Sequence, residues 1–190
     1  MKFNDERDIF FKRRFGMFVH WGLYSIPAWH EQIIWRGRFK RSEYEKYIDQ
    51  FNPTKFDPDE WIDIAKEAGM EYICFTTKHH DGFANWPSKY TKYSVTNTPW
   101  KNGKGDVVRE FVNACRKYGI KIGLYYSPAQ WGNEISFENE KEYDDYFINQ
   151  ITELLTNYGK IDYLWFDGCG SENHNYDKDR IIATIRGLQP

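Results

Sequence analysis

Three stretches of this 190-residue chain repeat one phrase: an acidic cap, apolar residues spaced by three and four, a glycine, and a short apolar run. In the first, Asp57-Pro58 precedes Trp61, Ile62, Ala65 and Ala68, followed by Gly69 and Tyr72-Ile73-Cys74-Phe75. In the second, Asp106 precedes Val107, Val108, Phe111, Val112 and Cys115, then Gly119 and Ile120-Lys121-Ile122-Gly123-Leu124-Tyr125-Tyr126. The third begins near Glu138, passes through Phe147, Ile151 and Leu155, and reaches Gly159 and Ile161-Asp162-Tyr163-Leu164-Trp165-Phe166. Spacing by three and four places the apolar groups on one side of a helix. The aspartate can accept the first unpaired amide protons, and the glycine can take the left-handed turn that ends the helix. The runs after each glycine are apolar without alternation, as a strand covered on both faces must be. A further strand reads at 15–21, a helix near 42–50 inside a long polar insertion, and a last helix at 177–188. Parallel neighbours need long crossovers, so helices alternating with strands imply an α/β fold on a parallel sheet with right-handed connections. No linker or low-complexity tract divides it.

Charge excludes some partners. Lys and Arg number 26 against 28 Asp and Glu, a net charge of -2, which gives no electrostatic footprint for nucleic acid or an anionic membrane surface. No apolar run approaches the ~18 residues of a transmembrane helix. What stands out is ring content: 14 Phe, 14 Tyr and 8 Trp make 19% of the chain, although hydrophobic residues overall are an ordinary 41%. Rings pack cores, and they also form platforms for sugars and bases. Cys74, Cys115 and Cys169 are odd in number and sit in or beside apolar segments, as buried free thiols do. Residues 1–14 are charged and lack the apolar core of a signal peptide, so the default expectation is a cytoplasmic protein, or a secreted or periplasmic one if a leader has been trimmed.

In parallel α/β folds, chemistry collects in the loops at the carboxyl ends of the strands. Here those ends carry His20-Trp21-Gly22, then Lys78-His79-His80-Asp81, then Tyr125-Tyr126-Ser127 with Trp131 beyond, then Trp165-Phe166-Asp167-Gly168. A carboxylate closing a buried apolar run must be hydrogen-bonded, paired or functional, and Asp167 is such a residue. Alone it could simply cap a turn with Gly168. Three of five histidines at neighbouring strand ends shift the weight toward a site. Imidazoles and a carboxylate could ligate a metal, but the sequence has neither a His-x-His nor a His-x-x-x-His spacing. Alternatively, donors and acceptors flanked by rings could hold a sugar while a carboxylate attacks its anomeric carbon, and the ring surplus favours that chemistry. Three other features read as ordinary. Residues 101–106 lack phosphate-loop spacing, residues 138–145 form an acidic first helical turn, and Arg36, Arg38, Lys40 and Arg41 form a solvated basic face.

The blocks Phe15-Gly16-Met17-Phe18-Val19-His20-Trp21-Gly22-Leu23-Tyr24-Ser25, Thr76-Thr77-Lys78-His79-His80-Asp81-Gly82-Phe83, Gly123-Leu124-Tyr125-Tyr126-Ser127 and Leu164-Trp165-Phe166-Asp167-Gly168 resemble the α-L-fucosidases of glycoside hydrolase family 29, in the family's order and across nearly the whole chain. The second block is close to diagnostic. The resemblance implies a retaining exo-glycosidase on a (β/α)8 TIM-type barrel that removes terminal α-linked L-fucose from glycans without metal or cofactor. It implies Asp167 as the nucleophile and His20, His79 and His80 as partners of the fucose hydroxyls. Trp165 and a tyrosine of the third strand, Tyr125 in preference to Tyr126, would line the pocket, with Trp21 beside them. Glu31 is the counterpart of a family glutamate near the sugar and a candidate acid/base. A retaining pair needs its carboxyl groups about 5–5.5 Å apart. Four strand–helix units are half of a barrel that takes roughly 250 residues. The expectation is therefore one partial catalytic domain over residues 1–190, lacking the second half-barrel and the family's β-sandwich. Open edges at the first and fourth strands are an association hazard, which implies self-association or a complementary half-barrel chain. A fucose-binding remnant without turnover, and a metal-dependent hydrolase using His20, His79, His80 and Asp167, are the alternatives.

Overall fold

A computed structural model describes residues 2–37, 39–131, 139–168 and 174–190. In chain order the elements are α1 (Glu6–Lys12), β1 (Gly16–Val19), the short helices α2 (Ile33–Arg36) and α3 (Arg41–Tyr44), α4 (Pro58–Glu67), β2 (Tyr72–Lys78), α5 (Val107–Tyr118), β3 (Lys121–Tyr126), α6 (Glu140–Asn157), β4 (Tyr163–Phe166) and α7 (Lys178–Leu188). Short 3-10 turns connect them at Leu23–Ser25, Glu45–Gln50, Val95–Asn97 and Trp100–Gly103. The four strands pair in parallel in the order β1-β2-β3-β4. Among the described residues no helix is long and apolar enough to cross a membrane.

The repeated phrase folds as its chemistry requires. Asp57 accepts from the amides of Asp59 and Glu60, Asp106 from that of Arg109, and Asp177 from that of Arg180. The third cap is Asn139, which accepts from the Glu142 amide, one residue later than the Glu138 start, which lies outside the described residues. Gly119 ends α5 at φ 72°, a left-handed conformation that costs glycine little. α5 buries Val107, Val108, Phe111, Val112 and Cys115 against the sheet, and α4 buries Ile62 and Ala65. Cys74 and Cys115 are free and buried, and burial pushes both thiols up to about 12. Cys169 lies outside the described residues.

Several elements differ from the sequence reading: the strand expected at 15–21 spans only Gly16–Val19, and the helix expected near 42–50 is α3 followed by a 3-10 turn. Residues 6–12 form a helix, held by Asp5, which accepts from the Arg7 amide, and by Phe10 packing on Tyr72 and Tyr163. β2 continues through Thr76, Thr77 and Lys78, all buried. Its register against β3 shifts after Thr76, pairing Lys78 with Tyr126, so Thr77 forms a bulge. The Thr77 hydroxyl satisfies itself on the Tyr125 carbonyl at 2.7 Å. Strand Gly123 marks a close approach: a Cβ there would lie 2.1 Å from the Tyr163 ring of β4.

The sheet has two faces. One is covered by helices, with Ile73, Phe75, Ile122 and Leu124 in the core. The other carries Phe18, whose ring meets both Tyr125 and Trp165, and is open: Phe18 is 39% and Trp165 48% exposed.

Candidate active site

Site construction begins with register. Tyr125 pairs with Trp165 across β3 and β4, so its phenol rises beside the residue two positions after Trp165 on the same face. That residue is Asp167, and the Tyr125 hydroxyl donates to its Oδ2 at 2.9 Å. The bulge in β2 restores His79 to this face, where its ring stacks on Tyr125 at 5.5 Å and meets His20 at 5.3 Å. His80 follows at 4.4 Å between ring centroids, with Nε2 3.5 Å from Asp167 Oδ2. One carboxylate, three imidazoles and a phenol thus converge at the carboxyl ends of four strands. The Asp167 side chain remains 29% exposed on the open face of the sheet.

Electrostatics keep the imidazoles neutral. Burial pushes His79 down to about 2, and the neighbouring rings His80, His20 and His30 push in the same direction. His80 is also held down by burial, against the pull of Asp167. Partial burial lowers His20, while Glu31 and Asp167 draw it up. The Tyr125 phenol stays protonated because burial and the adjacent Asp167 both raise it. Neutral imidazoles can donate and accept, which suits hydroxyl groups. Among the described residues His79 Nδ1 and His80 Nε2 are buried without hydrogen-bond partners, two polar atoms held ready for a ligand.

Glu31 sits half-buried in the loop after β1, close enough to act on His20, His80 and Tyr24. Its Oε2 is 3.3 Å from His30 Nδ1. That nitrogen already accepts the Gln32 amide proton at 3.0 Å, so it has no proton for Glu31 while the ring is neutral.

Two of the expected residues point elsewhere. Trp21 turns away from His20 and packs on Phe51, Phe56, Trp61 and Phe75, because β1 ends at Val19 and successive side chains diverge. Tyr126 faces the helix layer, stacks on Phe147 and donates to Gln150 at 2.7 Å. Both belong to the packed layer behind the sheet and do not reach Asp167. Arg41, read as part of a solvated face, instead donates to the Asp81 carbonyl at 3.1 Å while pairing with Glu45. Arg38 lies outside the described residues. Asp81 itself is buried, accepting from the Tyr44 hydroxyl at 2.6 Å and the Phe83 amide at 3.1 Å, so it braces the loop below His80. The sequence reading missed Tyr24, whose ring meets His79 at 5.3 Å, and Ser127, the first polar residue after β3. For Ser127 the available signal was its position at a strand end.

A parallel sheet that delivers such a cluster to one end of its strands defines the class: α/β proteins that handle a polar ligand at their carboxyl-end loops. The comparisons then narrow it. The chain belongs to the alpha-L-fucosidase family, whose model, described as Alpha-L-fucosidase, matches residues 2–190. It is 44% identical over 144 residues to alpha-L-fucosidase 1 of Arabidopsis thaliana, covering 74% of this chain and 28% of that protein. Tissue alpha-L-fucosidase of Bos taurus is 35% identical over 182 residues, covering 84% of this chain and 38% of its own. Among solved structures, alpha-L-fucosidase isoenzyme 1 from Paenibacillus thiaminolyticus superposes with a TM-score of 0.86 at 40% identity, over 98% of this chain and 48% of that one. An alpha-L-fucosidase from Lactobacillus casei, solved in complex with alpha-L-fucose product, gives 0.80 at 32% identity, over 98% and 69%. The chain therefore spans well under half the length of both the Arabidopsis and the bovine relative.

Proposed function

We propose that this chain forms the nucleophile-bearing part of a retaining α-L-fucosidase that releases terminal α-linked L-fucose from glycans. The observation that carries the reading is the Asp167 carboxylate, exposed on the open face of the sheet and held by the Tyr125 phenol at 2.9 Å beside three neutral imidazoles. Asp167 attacks the anomeric carbon as the glycosidic bond breaks, giving a covalent glycosyl-enzyme that water then hydrolyses. The phenol's hydrogen bond keeps the carboxylate oriented and its charge stabilised before attack. His20, His79 and His80 take the sugar's hydroxyls, and Trp165 offers its half-exposed ring as an apolar wall. In this reading Glu31 acts as the acid/base. Its electrostatic pull on His20 and His80, which Asp167 shares, supports that placement. The four strands belong to an eight-stranded barrel, and the chain alone turns over feebly if the proton donor lies elsewhere.

Hydrolysis of an aryl α-L-fucoside by the wild type and by Asp167→Ala tests the reading. Activity that survives the substitution rules Asp167 out as nucleophile. Azide rescue of Asp167→Gly, with a β-fucosyl azide as product, is the positive signature of the covalent step. Binding of L-fucose without turnover would instead mark a fucose-binding remnant.

A second reading rests on one observation: His79, His80 and Asp167 offer ligand atoms all within 4.8 Å of one another. Against it, the Tyr125 hydroxyl already donates to Asp167 Oδ2, the oxygen such an ion would take. Stoichiometric zinc that is lost in His79→Ala would overturn the sugar reading.

A further inference from the structure

Ser127 stands behind the site, fully buried, at the first position after β3. Its Oγ meets His80 Nδ1 at 2.5 Å and lies 2.6 Å from the Ala129 carbonyl oxygen. A hydroxyl has one proton to give, and a carbonyl can only accept. The Ser127 proton therefore goes to Ala129. The same hydroxyl acts on the Tyr125 phenol. Tyr125 cannot supply the missing proton either, because its own is committed to Asp167 Oδ2. The contact with His80 must then be made by the ring, with Nδ1–H donating to Ser127 Oγ.

A neutral imidazole carries one ring proton, so Nε2 is bare. Nε2 is the atom that faces Asp167, 3.5 Å from Oδ2, buried and without a hydrogen-bond partner among the described residues. Two acceptors side by side do not bond, and the geometry leaves Nε2 waiting for a donor. Groups on every side bear on this ring. Asp167 at the end of β4 and Glu31 after β1 favour its cation, whereas Lys78 on β2 and His20 at the end of β1 oppose it. Burial decides in favour of the neutral form. His79 and Trp131 close over it, with ring centroids 4.4 and 4.5 Å away.

We propose that Ser127 is a positioning residue that pins His80 in the Nδ1–H tautomer, so that Nε2 offers a lone pair to a ligand hydroxyl entering beside Asp167. The inference deepens the sugar reading and rests on it for the identity of the ligand. The tautomer itself does not depend on that reading. It also sets a selectivity: a ligand whose hydroxyl at this point is methylated has no proton to give, and it leaves a buried nitrogen unpaired.

The test is nitrogen-15 NMR of the intact protein with labelled histidines, at a pH where His80 is neutral. The protonated and bare nitrogens of a neutral imidazole resonate far apart, so the tautomer is read directly. Wild type is expected to show protonated Nδ1 and bare Nε2, and protonated Nε2 overturns the proposal. In Ser127→Ala the proton is expected to move to Nε2, where Asp167 accepts it. A tautomer unchanged in that variant removes the role of Ser127. Ser127→Thr, which keeps the hydroxyl, is expected to retain the wild-type signature. By calorimetry, Ser127→Ala is expected to bind L-fucose about tenfold more weakly than wild type, the loss of one hydrogen bond to a buried acceptor. A wild type that shows the Nδ1–H signature yet does not bind L-fucose refutes the sugar reading and leaves the tautomer standing.

Discussion

Lys78 offers a sharp test of how this fold handles charge. It closes β2 with its ammonium fully buried, donating to Gln130 Oε1 at 3.2 Å and lying 4.3 Å over the Tyr126 ring, with Tyr146 and Tyr143 at 5.4 and 5.9 Å. Burial pushes its pKa from 10.5 down to about 7, opposed by the charge of Asp81. The unfolded chain keeps this proton up to 10.5, so between the two values the unfolded state binds more protons and stability rises with pH. Below 7 both states are protonated and the full cost of burial remains. At about 1.4 kcal/mol per pH unit, going from pH 7 to 8.5 adds about 2 kcal/mol. The ring faces recover part of the cost, up to about 2 kcal/mol for a desolvated ammonium, which can only narrow the window. His79, Cys74 and Cys115 act outside it. His79, held down to about 2, adds stability as pH rises only up to 6.5, and Cys74 and Cys115, pushed up to about 12, subtract only above 9. Urea unfolding followed by tryptophan fluorescence at pH 7 and 8.5 measures the difference. Wild type is expected to gain about 2 kcal/mol, and Lys78→Met to show little of that gain. The same slope in both proteins would refute the assignment.

Further outcomes follow from particular contacts. Gly123→Ala sets a methyl against the Tyr163 ring, which is itself held by Phe10 and Tyr72. It is expected to cost about 1–3 kcal/mol by chemical denaturation, and full stability would mean that the ring moves freely. Asp106→Ala removes both a helix cap and the acceptor of the Tyr158 hydroxyl at 2.9 Å, whereas Asp57→Ala removes a cap alone. The first is expected to lower Tm more than the second, each cap being worth ~1 kcal/mol, and equal losses would remove the Tyr158 contact from the account. The unpaired outer edges of β1 and β4, with Phe18 and Trp165 open between them, are expected to drive self-association in light scattering. A monodisperse monomer that unfolds cooperatively would contradict that expectation.

What could be read from the sequence was local. Asp57, Asp106 and Gly119 act within a turn of their own backbone, so the caps announce the helices, and the helices fix the parallel sheet. What escaped depends on partners distant in the chain. α1 opens and closes on charged residues, and the ring that anchors it, Phe10, finds Tyr72 and Tyr163 only after folding. The end of β2 reads as polar because Thr76, Thr77 and Lys78 satisfy themselves on Trp21, Tyr125 and Gln130, contacts 48 to 55 residues away. The bulge at Thr77 then resets alternation, so parity could not say how His79 and His80 would face. The choice between Tyr125 and Tyr126 was open because the third strand carries no anchor that fixes its parity, and the pairing of Tyr125 with Trp165 closes it.

Position therefore says more than composition about the rings. Their surplus looked like a sugar platform, yet Trp21, Phe51, Phe56, Trp61, Phe75 and Phe111 contact one another behind the sheet, on the side away from Asp167. On the open face, Phe18, Tyr125 and Trp165 join the imidazoles. The packed cluster holds the strands in register, and register carries the Tyr125 phenol to Asp167. The abundance of rings thus serves the site chiefly at second hand. A substitution in the packed cluster is expected to lower stability before it alters ligand affinity, and one at Tyr125 to do the reverse.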